Sequence, residues 1–144
     1  AIPRLRTGRV GAQFWSAYVD VTVANPVVQT FEQIDAIRRM VERYPADFEM
    51  AWTADDIERV RKSGKIASLI GVEGGHSIGG SLGVLRSFRR LGVKYLTLTH
   101  SASLEWADSA TDAPKCGGLS PFGEDVVREL NALGMLVDLS HVSP

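Results

Sequence analysis

Only three histidines occur among the 144 residues, His76, His100 and His141, and two of them close an apolar run. Tyr95-Leu96-Thr97-Leu98-Thr99 leads into His100, and Met135-Leu136-Val137-Asp138-Leu139 leads through Ser140 into His141. A third run, Ile66-Ala67-Ser68-Leu69-Ile70-Gly71-Val72, ends at the carboxylate of Glu73. This last run is near-continuous, which suits a parallel strand covered on both faces. Glu73, His100 and His141 are therefore expected at the C-terminal ends of three successive strands. That end of an α/β barrel carries the chemistry, and carboxylate with imidazole is a donor set suited to zinc. A single histidine after a strand is more often a hydrogen-bonded structural residue; three coincident placements favour a shared site.

Other residues near these positions have two readings each. The glycines of Glu73-Gly74-Gly75-His76-Ser77-Ile78-Gly79-Gly80 precede a helix start, where a phosphate could sit. Neither the GxGxxG fingerprint nor GxxxxGK[ST] matches, and no lysine follows; the plainer reading is a backbone that turns tightly past a site. His76 is either a polar residue at a helix entry or part of the site. Asp138, inside an apolar strand, needs a partner: it either orients a ligand from behind or holds a neighbouring strand or loop. Trp106-Ala107-Asp108-Ser109 lies in a long loop at the same end, of the kind that shapes pockets, with Trp106 read as its anchor to the core. Cys116, the single cysteine, permits no internal disulfide and is read as an incidental loop thiol. Asp55, Asp56 and Glu58, and Arg86, Arg89 and Arg90, are read as solvated helix faces.

The elements that must place these groups alternate. Val10–Val23, rich in aromatic and β-branched residues, is expected to be a strand. Thr30 with Gln33 has the spacing of a capping box, opening a helix with Ile34, Ile37, Val41 and Tyr44 on one face, stopped by Pro45. Thr53 caps a short helix that turns Ile57 and Val60 inward. After the Gly-rich turn, Leu82, Leu85, Phe88 and Leu91 mark a helix ended by Gly92. Ser120-Pro121 opens a last helix with Phe122, Val126, Val127, Leu130 and Leu133 inward. The expected fold is α/β, a single domain over 1–144: a partial (β/α)8 TIM-type barrel of about four strand-helix units. A doubly wound sheet is the alternative. A closed barrel takes about 250 residues and the last strand has no covering helix, so the natural protein is expected to continue in both directions. Apolar residues make up 44% and charged residues 23%, with a net charge of -1; no basic excess points to nucleic acid. No apolar run reaches the roughly 18 residues of a spanning helix, and the first residues lack the apolar core of a signal peptide.

Six stretches together resemble the membrane (renal) dipeptidase family, in that family's order and over nearly the whole chain. They are Gly11-Ala12-Gln13-Phe14-Trp15-Ser16, Gly71-Val72-Glu73-Gly74-Gly75-His76-Ser77, Tyr95-Leu96-Thr97-Leu98-Thr99-His100, Trp106-Ala107-Asp108-Ser109, Gly118-Leu119-Ser120-Pro121-Phe122-Gly123 and Asp138-Leu139-Ser140-His141-Val142-Ser143. The resemblance implies a (β/α)8 barrel with two zinc ions, hydrolysing the peptide bond of dipeptides through a metal-bridging hydroxide. By position, Glu73 matches the carboxylate that bridges the metals, His141 a histidine ligand, and His100 a residue contacting the substrate near the scissile carbonyl. The family's His-x-Asp pair is absent here, since no histidine is followed two residues later by aspartate. A further ligand histidine, and an arginine and an aspartate that hold the substrate termini, are implied beyond residue 144. Where the family often has an Asn-containing stretch, Ser103-Leu104-Glu105 precedes Trp106. The expected partners are a dipeptide and a second copy or the remainder of the barrel, with no nucleic acid; the location is left open, a cytoplasmic one slightly favoured and membrane anchoring possible in the family. Two other functions are weighed: a non-catalytic barrel fragment lacking a complete metal site, and a phosphate-ligand module at the Gly-rich turn.

Overall fold

The computed structural model describes residues 1–144. A short helix α1 (Ile2–Thr7) leads into β1 (Ala12–Tyr18), α2 (Pro26–Arg43), β2 (Phe48–Met50), α3 (Ala54–Lys62) and β3 (Ile66–Glu73). A 3₁₀ turn, Gly75–Ile78, separates β3 from α4 (Leu82–Arg90), followed by β4 (Val93–Thr97), α5 (Pro121–Ala132) and β5 (Leu136–Asp138). All strand pairs are parallel. The sheet runs β1-β3-β4-β5, the order of the chain apart from β2. One edge of β3 pairs with β1 over Ala67–Glu73. The other edge is shared: β2 takes Ile66–Ser68 and β4 takes Ile70–Glu73. Successive strands side by side, with helices between them, form the expected segment of a (β/α)8 barrel.

Burial explains the helix-facing side. Ile70 and Val72 of β3 and Leu96 of β4 are fully buried with Ile34 of α2, Leu85 and Phe88 of α4, and Val126 and Leu130 of α5. Each such side chain contributes about 1.5–3 kcal/mol when removed from water. Phe31 meets Phe88 edge-on at 5.0 Å. The opposite face of the sheet carries a different set, because side chains alternate along a strand. Ser16, Gly71, Tyr95 and Leu136 stand in register across four strands, and one step on stand Tyr18, Glu73, Thr97 and Asp138. The sheet breaks register between Ile70 and Gly71, which brings Gly71 opposite Tyr95. A Cβ on Gly71 would lie 2.0 Å from the Tyr95 ring, so only glycine fits beneath it. On this face Phe14 is 36% and Leu136 61% exposed, which leaves apolar side chains uncovered there.

Several sequence expectations need correction. The strand foreseen to Val23 stops at Tyr18, because the Asp20 carboxylate accepts the N–H and hydroxyl of Thr22 in a tight turn. Helix α2 starts at Pro26, whose missing N–H costs nothing there, and not at Thr30. Thr30 is buried and donates its hydroxyl back to the Pro26 carbonyl at 2.7 Å. Gln33 is no capping partner: its amide accepts from the Tyr18 N–H at 3.0 Å and donates to the Tyr18 carbonyl, tying α2 to the end of β1. Helix α1 and strand β2 had no foreseen counterpart. Thr53 caps α3 as expected, and does so in a capping box with Asp56; Ser120 caps α5 as expected. No helix is long and apolar enough to cross a membrane.

Candidate metal centre

Glu73 ends β3 on the uncovered face, between Tyr18 and Thr97 in the strand register. Its Oε2 accepts the Ser16 hydroxyl at 2.9 Å, which fixes the carboxylate. Its Oε1 lies 3.5 Å from His100 Nε2 and 3.5 Å from His141 Nε2. One donor atom from each residue falls within 4.8 Å of the others. No Lys or Arg pairs with Glu73. The side chains of Glu73, His100 and His141 are 28%, 27% and 40% exposed, neither sealed in the core nor free on the surface.

The 3.5 Å separations are longer than ordinary hydrogen bonds. They match the spacing a metal imposes: two donors about 2.1 Å from a tetrahedral zinc stand about 3.4 Å apart. The carboxylate of Glu73 and the imidazole of His141 are also donor types found at catalytic zinc. The residues present therefore fit the metal that the sequence suggests.

Backbone contacts aim the two imidazoles. His100 lies between two rings, 4.6 Å from Tyr18 and 4.3 Å from His141 between centroids. Its carbonyl accepts the Ser109 hydroxyl at 2.6 Å. His141 has a left-handed backbone, φ 70, a conformation uncommon outside glycine that costs about 1–3 kcal/mol unless the surroundings hold it. Its carbonyl accepts from Thr99 Oγ1 at 3.1 Å and from the Ala110 N–H at 2.9 Å.

Asp138 touches neither ring. It accepts the Thr97 hydroxyl at 2.6 Å, and the Ser140 N–H and hydroxyl at 3.1 and 2.7 Å. Of its two readings, holding the neighbouring strand and the following turn is the one realised. Burial works to raise its pKa, but the hydrogen bonds from Thr97 and Ser140 outweigh it and hold the carboxyl below the usual range. His76 is outside the cluster: its Nε2 bonds the Val19 carbonyl at 2.8 Å, tying the 3₁₀ turn to the segment after β1. Burial keeps its pKa below the usual imidazole value despite that bond.

The glycines of the turn make room for side chains. A Cβ on Gly74 would lie 2.5 Å from His76, and one on Gly75 2.4 Å from both the Leu98 carbonyl and the Trp106 ring. The N–H groups of Ser77, Gly79 and Ser81 already donate within the segment, to Gly74, His76 and Ile78. That favours the tight turn over a phosphate cradle.

The loop after β4 is packed. Trp106 is buried and meets Phe122 edge-on at 6.0 Å, the anchor expected of it. Asp108 is buried, and its carboxylate collects the N–H groups of Gly118, Lys115 and Cys116. Those backbone bonds, led by Gly118, hold its pKa down to about 2. Cys116 is half-buried, with its thiol pushed up mainly by burial, in keeping with an incidental thiol. The charge clusters are not simply solvated faces. Arg86 pairs with Glu129 of α5 at 3.1 Å and Arg89 donates to the Leu133 carbonyl at 2.8 Å, joining α4 to α5. Asp56 caps α3 and pairs with Arg59. Sequence reasoning missed Ser16, Tyr18, Thr99 and Ser109. For the first two a signal existed: Phe14, Ser16 and Tyr18 alternate along β1 and so share a face.

Comparison with known proteins gives a consistent result. The family described as membrane dipeptidase (Peptidase family M19) matches residues 1–144. The chain is 50% identical to a dipeptidase of Claviceps purpurea over 153 residues, covering 99% of this chain and 36% of the relative. It is 51% identical to dipeptidase 3 of Mus musculus over 149 residues, covering 99% and 29%. It thus spans about a third of the length of these relatives. Among solved structures, the probable dipeptidase PvdM of Pseudomonas aeruginosa superposes with a TM-score of 0.87 at 23% identity, covering 98% of this chain and 40% of that one. A metallo peptidase of Rhodobacter sphaeroides, solved with a phosphinate mimic of the dipeptide L-Ala-D-Ala, superposes at 0.86 and 20% identity, covering 98% and 49%.

Proposed function

The chain belongs to the membrane dipeptidase family, and on that premise we propose that it contributes to a zinc metallopeptidase hydrolysing the peptide bond of dipeptides. In this reading Glu73 and His141 hold metal and His100 faces the scissile carbonyl. The observation that carries it is the convergence of His100 Nε2 and His141 Nε2 on one oxygen of Glu73, 3.5 Å from each.

Zinc bound here would supply Lewis acidity and lower the pKa of water from about 15.7 toward about 7. The protein's own groups divide the remaining work. Ser16 holds Oε2 of Glu73 and leaves Oε1 directed at the site. His100 Nδ1 is buried with no partner. A histidine that ligates metal through one nitrogen almost always donates its other N–H to an acceptor, and His100 Nδ1 has none. A buried N–H left unpaired is costly, which favours the tautomer that carries its proton on Nε2. Placed there, that proton faces the site and can donate to the oxyanion that develops on an attacked carbonyl. His141, at 40% exposure, leaves its other nitrogen within reach of water.

His100→Ala should then lower turnover and leave metal content intact; loss of zinc would make His100 a ligand instead. Dipeptides incubated with the zinc-loaded protein should release free amino acids, and Glu73→Gln should stop that release. Turnover that survives Glu73→Gln would refute the assignment. A second reading, a barrel segment that keeps the fold without a complete metal site, rests on the cluster offering only Glu73 and His141 as ligands once His100 faces substrate. Zinc binding without turnover would support it.

A further inference from the structure

We infer that Asp108 is a positioning residue for the candidate metal centre, acting through the loop that carries it. The inference rests on Glu73, His100 and His141 forming that centre. The two histidines follow different strands, and nothing in β4 or β5 themselves fixes how their rings stand to each other. Besides the Thr99 hydroxyl on the His141 carbonyl, a three-residue stretch of the long loop joins them. Asp108 accepts the Ser143 N–H on its carbonyl at 2.9 Å. Ser109 donates its hydroxyl to the His100 carbonyl at 2.6 Å. Ala110 donates its N–H to the His141 carbonyl at 2.9 Å. Ser109 also bridges Val142, the neighbour of His141. Consecutive residues of one strap thus grip the main chain at both histidines.

The strap is fixed in turn by the Asp108 side chain. Oδ1 accepts from Lys115 at 2.7 Å and from Cys116 at 3.1 Å, and Oδ2 accepts from Gly118 at 2.7 Å. The Asp108 N–H donates back to the Gly118 carbonyl at 2.9 Å. A buried carboxylate with this many donors closes the loop on itself, and both oxygens are needed. Asparagine would keep one acceptor and turn an NH₂ group toward a backbone N–H, a contact of two donors. The expected consequence is a strap that no longer grips both histidines in register, so that the His100 and His141 rings lose their tilted contact at 4.3 Å. Residues that orient metal ligands from behind typically change metal affinity by about 10–100-fold.

The test compares wild type, Asp108→Asn and Ser109→Ala by NMR of the imidazole C–H resonances, recorded without metal. Aromatic rings in contact shift each other's resonances, so wild type should show His100 and His141 displaced from free imidazole. In Asp108→Asn both should collapse toward the free value while His76, held by Val19 outside the strap, stays in place. Ser109→Ala, a milder change, should move His100 more than His141. Zinc titration of the same proteins should show at least a tenfold loss of affinity in Asp108→Asn. Unchanged His100 and His141 resonances would overturn the proposal, as would a shift of all three histidines with general loss of structure in both variants. If wild type binds no zinc, the metal reading fails, and the metal-free resonances still decide the role of Asp108.

Discussion

Gly75→Ala tests whether the Gly-rich turn after Glu73 is packed structure. The glycine has no positive φ, so the effect of the added methyl is steric and not conformational. Its Cβ would stand 2.4 Å from the Leu98 carbonyl oxygen, and 2.4 and 2.5 Å from two atoms of the Trp106 ring, where ordinary contact begins near 3.4 Å. Overpacking a core costs about 1–3 kcal/mol. Reduced entropy of the unfolded chain returns about 0.4–1 kcal/mol. One of the atoms met is main chain in β4's extension and cannot rotate aside, and the other belongs to a buried anchor, so the net cost should be about 2 kcal/mol. For a chain of this size that lowers Tm by roughly 4–8 °C. Urea unfolding of metal-free protein followed by Trp fluorescence measures it. Gly80→Ala is the control: nothing lies within 4 Å of its added Cβ, but φ is 67, so its cost of about 1 kcal/mol comes from backbone strain. A Gly75→Ala protein within 0.5 kcal/mol of wild type would refute the packing argument and return the turn to the phosphate reading.

Three further predictions follow from the same contacts. His76→Ala should cost about 1–2 kcal/mol by stranding the carbonyl of buried Val19 and should leave zinc affinity unchanged in a chelator competition; a lost zinc site would place His76 in the centre. Thr97→Val should destabilise by about 1–3 kcal/mol, since it takes from Asp138 a 2.6 Å hydrogen bond to a charged group; an unchanged urea midpoint would contradict that. Asp108 has its pKa depressed from 3.8 to about 2 in the folded protein, so its contribution to stability is fully present above about pH 4 and is lost as pH falls toward 2. Acid unfolding of wild type should therefore show a component in that window that is absent from Asp108→Asn; identical acid profiles would show that the loop bonds do not depend on ionisation.

Most of what positions the site was legible from local pattern. The apolar runs ending at Glu73, His100 and His141 announced parallel strands, and the structure places all three side chains at one end of the sheet; β3 is buried, while Leu136 of β5 is exposed. The helices carried their caps at Thr53 and Ser120 in plain view. The failures have a common physical origin in long-range contacts. Gln33 sits at capping-box spacing from Thr30, but its amide is taken by Tyr18, fifteen residues earlier. β2 is three residues long and is defined by the half of a β3 edge that β4 leaves free, which no periodicity could reveal. Asp138 could not be assigned between its two roles because its partner, Thr97, stands on another strand. The strap that binds Asp108, Ser109 and Ala110 to both histidines was hidden for the same reason: the loop has no period, and its order comes from one buried carboxylate.

The central claim is that Glu73 and His141 hold zinc, and zinc content of the purified chain tests it most directly. Metal would be measured by elemental analysis after exchange against a weak chelator, in wild type, Glu73→Gln and His141→Ala. Zinc retained by wild type and lost from both variants is the predicted result. Wild type without zinc, or zinc retained in full by Glu73→Gln, would contradict the account.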